Sequence, residues 1–353
     1  MISPSEPIVC VIPGDLHLTG PGTDTFRQAS LMIDEVNGSI KPDFVQFIGD
    51  NVQNATDAQF ELFNGLRQRL DVPHLCLVGD HDIERDPSAE AFRRHVGEPY
   101  GSLVLRGYRF IRINTQEFRP VGISEHQIHW LLHELEEAGR AGERVVIFQH
   151  NYPYQIWEDF QGPGLDAWRA IVHSHRIDLI FCGHTHYWQV ANDGQNVAIA
   201  NRSIGDPEGG PPGYAILYLT NEDLAVTYRV LSDRTPLVLV THPREKMLAT
   251  GPRHIVQGPD RIVARIWHEA GVAGVRCRID DGAWSPMEPS DDGHWSSSMA
   301  GDLLTKGIHS LDIHAIGTDR LEASKRIDFI VDPTGRYTAV PGAWPAVTET
   351  AFC

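Results

Sequence analysis

Five short polar blocks, each set directly after an apolar run, constrain this 353-residue chain more than any other feature. In order they are Asp15-Leu16-His17, Gly49-Asp50-Asn51, Gly79-Asp80-His81-Asp82, His150 and Gly183-His184-Thr185-His186. Short apolar runs bounded by turn residues read as buried strands. Open α/β sheets place their ligands in the crevice beyond the carboxyl ends of such strands. The blocks therefore call for a layered fold in which several strand ends converge on one cleft.

The remaining patterning agrees. Strand candidates cover residues 8–13, 43–48, 74–78, 108–114, 144–149 and 178–182, with helical patterns at 23–36, 57–69, 88–96, 125–139 and 165–173. Ser124 is placed to cap the fourth helix. Runs at 197–200, 214–219 and 224–230 have no helices between them and read as a meander closing a second sheet. This is an α/β domain over residues 1–232. Beyond it come turn-rich segments and then short alternating strands with turn signals at Asp281-Gly282 and Asp292-Gly293. That spacing predicts an all-β sandwich over 233–335, with Trp267, Trp284 and Trp295 as core or interface anchors, followed by an extended tail over 336–353.

Charge and cysteine content narrow the function. The net charge of −17, from 47 acidic and 30 basic residues, repels polyanions. Nucleic-acid polymers and anionic membranes are therefore poor partners, whereas a small anionic substrate could still be captured by local cations. The amino-terminal segment has no basic stretch, and its apolar run is too short for a signal or a membrane span, so a cytoplasmic location is expected. Cys10, Cys76 and Cys182 lie in apolar runs and read as reduced structural thiols.

The 18 histidines matter because several fall inside the polar blocks. Residues i and i+2 of an extended segment project to one side, so Asp15 and His17 can reach one ion, and His184 and His186 one shared cleft. Glycines 14, 49, 79 and 183 stand before the polar residues, where the chain must turn sharply. A mixed Asp/His set suits Zn, Mn or Fe better than Ca or Mg. Asp15, His17, Asp50, Asp80, His150, His184 and His186 are too many for one tetrahedral ion. Two divalent transition-metal ions about 3.5–4 Å apart would use them all and generate a nucleophile at neutral pH.

The order D-x-H, GD, G-N-H-[D/E], H, G-H-x-H, met here with Asp80 in place of the Asn, resembles the calcineurin-like metallophosphoesterase superfamily, most closely the layout of its class III cyclic-nucleotide phosphodiesterases. The resemblance covers about the first 230 residues and implies a four-layer α/β/β/α sandwich. It also implies that Asp15, His17, Asp50 and His186 hold one metal, that Asp50, Asp80, His150 and His184 hold the other, and that Asp50 bridges. His81 would be no ligand but would face the leaving-group oxygen as a proton donor. The family usually has Asn where this chain has Asp80. The added carboxylate should tighten cation binding, lower the ions' Lewis acidity and raise the pKa of His81. Purple acid phosphatases carry a metal-bound Tyr three residues after the bridging Asp, where this chain has Gln53, which disfavours that branch. The β-sandwich resembles immunoglobulin-like accessory modules and could serve homo-oligomerisation.

The implied activity is hydrolysis of a phosphoester, a small diester such as a cyclic nucleotide, by in-line attack of a hydroxide held between the metals. A phosphomonoesterase with the same site is the alternative, and a non-catalytic, metal-stabilised binding protein is the reading from another class. Asn51, Tyr152 and Tyr187 are candidate substrate contacts. Asn51 could equally bond its own loop, and the tyrosines, like Tyr154, Trp157 and Trp188, could equally be core or rim. Asp82 reads first as a turn acceptor. The helical trio His126, His129 and His133 reads as solvated surface.

Overall fold

The computed structural model describes residues 6–119, 121–154, 162–206, 208–299 and 304–344. Strand β1 (Ile8–Pro13) shows why the layers form. It sends Ile8, Cys10 and Ile12 to one face and Val9 and Val11 to the other, and both faces are apolar. Such a strand must be covered on both sides. It sits at the centre of a five-stranded sheet in the order β11 (Leu224–Val230), β10 (Gly213–Leu219), β1, β2 (Phe44–Phe47), β3 (His74–Cys76). A second sheet of seven strands runs β20 (Gly342–Trp344), β8 (Gln189–Asn192), β9 (Val197–Ala200), β7 (Leu179–Cys182), β6 (Arg144–Gln149), β5 (Tyr108–Ile113), β4 (Gly101–Leu105).

Between the sheets, Ile8, Cys10 and Ile12 meet Phe110, Phe148 and Phe181. On the outer face of the first sheet, Val9 and Val11 join Met32, Phe60 and Phe92 of α1 (Asp24–Glu35), α2 (Asp57–Arg67) and α3 (Glu90–His95). On the outer face of the second, Ile147 and Ile180 join Leu131, Leu135 and Trp168 of α4 (Glu125–Ala141) and α5 (Leu165–Ser174). The result is the expected α/β/β/α sandwich. Each fully buried Phe in it contributes about 1.5–3 kcal/mol of apolar transfer. The helices begin where side chains can cap them: the Thr23, Thr56 and Ser124 hydroxyls accept from the amides of Phe26, Gln59 and Gln127.

The carboxyl-terminal region forms two four-stranded sheets with every pairing antiparallel. One runs β12 (Leu237–His242), β13 (Asp260–Trp267), β17 (His294–Met299), β16 (Glu288–Pro289). The other runs β15 (Ser285–Pro286), β14 (Val272–Ile279), β18 (Gly307–Gly317), β19 (Glu322–Val331). Leu311, Ile313 and Phe329 fill the space between them with Ile262 and Ile266. Strand β12 belongs to two cores at once: Leu237 and Leu239 pack into the helix-side core of the first domain, Val238 and Val240 into the sandwich.

One expectation needs correction. Residues 342–344, read as tail, form β20 and pair antiparallel with β8, so the chain returns to the first domain. The tryptophans divide their roles: Trp267 packs into the first domain's helix-side core, Trp295 packs against the sandwich core, and Trp284 lies beneath the guanidinium groups of Arg276 and Arg278. Strands β4, β8 and β12 add to the strand candidates read from the sequence.

Candidate metal centre

The polar blocks converge beyond the carboxyl ends of β1, β2, β3, β6 and β7. Two groups of four result, and they share one residue: Asp15, His17, Asp50 and His186, and Asp50, Asp80, His150 and His184, each with ligand atoms within 4.8 Å of one another. In the first, His17 Nε2 lies 3.0 Å from His186 Nε2 and 3.7 Å from Asp50 Oδ2, and His186 Nε2 lies 3.4 Å from Asp15 Oδ2. In the second, His150 Nε2 lies 3.4 Å from Asp50 Oδ2 and 3.1 Å from Asp80 Oδ1, with His184 Nδ1 3.0 Å from the same Asp80 oxygen. His150 Nδ1 lies 2.9 Å from the Ile48 carbonyl, an anchor that aims Nε2 at the cluster.

The local backbone differs from the extended segments expected from spacing. His17, Asp50, His184 and His186 all have positive φ, between 47° and 67°. That conformation is costly for non-glycine residues and persists only where the surroundings enforce it. His184 and His186 therefore point into different groups rather than side by side. Gly79 shows the enforcement, because a Cβ there would fall on the Asp50 carboxylate.

Asp15 and Asp50 are 0% and 1% exposed, and among the described residues the ion-pair partners of Asp15, Asp50 and Asp80 are histidines, never Lys or Arg. Burial, together with the neighbouring Asp50 charge, pushes the Asp15 carboxyl up to about 7. Burial alone would raise Asp50 too, but His150 holds it below the usual carboxylate range. Burial pulls His17 down to about 4, keeping its imidazole neutral and free to donate a lone pair. Asp15 Oδ1 is buried without a hydrogen-bond partner. Buried carboxylates with no Lys or Arg partner among the described residues, set against imidazole nitrogens, fit cations. The residues are arranged for a two-metal site.

Asp80 is turned towards this cluster. Despite the opposing effect of burial, hydrogen bonds from His150 and His184 hold its carboxyl far below the ordinary range. His81 stands outside both groups, half-buried, its ring edge-on to His17 at 4.7 Å. Its Nδ1 lies 2.8 Å from the Gln53 carbonyl, and its amide donates to Asp50 Oδ1. Burial lowers the His81 pKa, yet Asp50, then the Gln53 carbonyl, then Asp80 raise it overall, so Asp80 is not the leading cause.

The substrate candidates separate. Asn51 is fully buried, and its amide nitrogen donates to the Leu77 carbonyl and to Asp82 Oδ2, so it bonds its own loops. Tyr152 is 4% exposed and packs in the core beneath α4 and α5. Tyr187 is exposed beside the last block, and Trp157 lies outside the described residues. His126, His129 and His133 are exposed on α4.

Asp82 does more than accept within its own turn, and a further loop escaped sequence reasoning. Asp82 is buried and accepts from Asn51 Nδ2, Val52 N and Gly79 N, stapling the second block to the third; burial and then Asp50 push its carboxyl up to about 7. The loop after β9 closes on Asp15: Ser203 Oγ and the amides of Ile204 and Gly205 all donate to its carbonyl at 2.9 Å. Its signal was present, since Asn201–Asp206 also follows an apolar run.

Comparison with known proteins places this geometry. A family model described as calcineurin-like phosphoesterase matches residues 10–188. A protein of Arcobacter nitrofigilis described as a probable glycerophosphodiester phosphodiesterase is 26% identical over 218 residues, which is 53% of this chain and 77% of that one. A dimetal phosphatase from Danio rerio superposes with a TM-score of 0.52 at 13% identity, over 65% of this chain and 98% of that one. A purple acid phosphatase from yellow lupin, Lupinus luteus, gives 0.51 at 13% identity, over 65% of this chain and 52% of that one. These last two likenesses concern the fold.

Proposed function

Because the chain belongs to the calcineurin-like phosphoesterase family, and so to the metal-dependent hydrolases, we propose that it is a phosphodiesterase acting on a small diester. The observation that carries this is the pair of four-residue groups meeting at Asp50. Asp15, His17, Asp50 and His186 would hold one ion, and Asp50, Asp80, His150 and His184 the other. The mixed carboxylate and imidazole donors suit Mn, Fe or Zn. Such ions, when bound, supply Lewis acidity to a phosphoryl oxygen and bring the pKa of water close to neutrality.

The chain's own part is positioning and proton transfer. His81 keeps Nδ1 engaged with the Gln53 carbonyl, which leaves Nε2 for the substrate. In its protonated form, favoured by Asp50, it donates to the departing alcohol oxygen. Asp82 and Asn51 hold the loops that carry Asp50 and Asp80 in register. The chemistry resides in residues 1–232, and residues 233–335 are accessory.

Support for a diester over a monoester comes from the relative described as a probable glycerophosphodiester phosphodiesterase. Gln53, where purple acid phosphatases have Tyr, points the same way. The buried free thiols Cys10, Cys76, Cys182 and Cys277 support a reducing, cytoplasmic setting, and no described helix is long and apolar enough to cross a membrane. Turnover of bis(p-nitrophenyl) phosphate is compared with p-nitrophenyl phosphate on Mn-loaded protein. The expected result is a higher kcat/KM for the diester; monoester preference by orders of magnitude overturns the assignment.

A further inference from the structure

Outside the metal centre, one place gathers chemically distinctive groups. A cavity of about 580 Å³ opens on the seam between the two domains. That size suits a small ligand, since such pockets span roughly 300–1,000 Å³. Its wall is apolar and aromatic, with Trp188, Val226, Tyr228 and Met247 from the first domain and the linker. Its polar edge carries Arg202, Lys246, Lys325 and Arg326 against Glu245 and Asp328. In a chain with 47 acidic and 30 basic residues, this reverses the prevailing sign of the field.

The cations are not all neutralised by one another's neighbours. Lys246 pairs with Asp328 at 3.8 Å, and Arg326 turns to Ser310 at 2.7 Å and Asp312 at 3.9 Å. The Arg202 guanidinium lies over the Tyr228 ring at 4.9 Å, and its Nε is buried without a hydrogen-bond partner. Burial raises the Glu245 carboxyl, while the nearby Lys325 charge opposes that shift. The site is built on the metal loops: Trp188 lies two residues beyond His186, and Arg202 opens the loop that closes on the Asp15 carbonyl.

We propose that this cavity is a binding site for a small amphipathic organic anion, its head held by Arg202 and Lys325 and its apolar body against Trp188, Val226 and Met247. The site is separate from the two metal groups and does not depend on which phosphoester they hydrolyse.

The test is calorimetric titration of the full, metal-loaded chain with 1-naphthalenesulfonate, which has no phosphoester bond to cleave. Saturating inorganic phosphate is present throughout to occupy the metal centre. One saturable site per chain is expected, weakened by about tenfold or more in Lys325→Glu and in Met247→Trp, with neutral 1-naphthalenemethanol binding more weakly. Lys325 is half-buried at the edge of the cavity, so its variant carries the test if Met247→Trp fails to fold. Absence of saturable binding, affinity unchanged in Lys325→Glu, or equal affinity for the neutral analogue each overturns the proposal.

Discussion

The two domains treat their polar residues in opposite ways. In the first, the residues that gather are interior: Asp15, Asp50 and His150 are at most 1% exposed, and four candidate ligands sit on left-handed backbone. In the sandwich, Leu311, Ile313 and Phe329 fill the core, while ionic contacts such as Arg278–Asp312 and His309–Asp280 involve residues outside that cluster. Its left-handed non-glycine residues, Asp280 and Arg320, lie in turns between strands. Among the described residues the sandwich gathers no comparable set of carboxylates and imidazoles. In the first domain left-handed backbone and buried charge coincide at one such set, and such breaches concentrate where chemistry is done.

That contrast can be broken by experiment. Asp50→Ala should abolish turnover and remove both metals, as read by metal analysis; retention of one full equivalent of each would undo the shared-ligand reading. His81→Ala should lower kcat by roughly 10²- to 10⁴-fold with metal content unchanged. Phe329→Ala should destabilise by about 3–5 kcal/mol in denaturant melts while the folded fraction keeps its metals. Metal loss ahead of unfolding would mean that the sandwich supports the site directly.

Smaller effects sharpen the seam between the domains. His242, on β12, lies 3.1 Å from Asp223 and 3.0 Å from Asp260, one carboxylate from each domain. Burial opposes its charge, but these two partners raise it to about 9. Because its pKa is higher folded than unfolded, the stabilisation is complete below the ordinary histidine value of about 6.5 and disappears as pH rises through about 9. His242→Asn should therefore lower Tm at pH 6 and have little effect at pH 10; equal losses at both pH values would rule out the charged contact. Smallest is Ser124→Ala, which should cost about 1 kcal/mol through its cap on α4, with kcat unaffected.

Much of the layered domain was legible because its signals are local. The wholly apolar run of β1, the cap Ser124, and an apolar run before each polar block can all be read within a few neighbours. What was not legible depends on distance or on backbone sign. Spacing alone suggested that His184 and His186 would extend side by side, whereas their left-handed conformations are imposed by packing around them. The Asn51–Asp82 bond joins residues 31 apart, so neither residue alone reveals that the other uses it. Residues 342–344 gain their strand only from an open edge presented by β8.

Strand β12 carries a consequence of its own. With Leu237 and Leu239 committed to one core and Val238 and Val240 to the other, there is no place nearby where the polypeptide can be cut without baring apolar surface on both sides. The carboxyl-terminal region is therefore not an interchangeable attachment. It would be inherited, melted and lost together with the half that holds the histidines, and a gene shortened at the apparent border would encode a sticky fragment rather than a smaller enzyme.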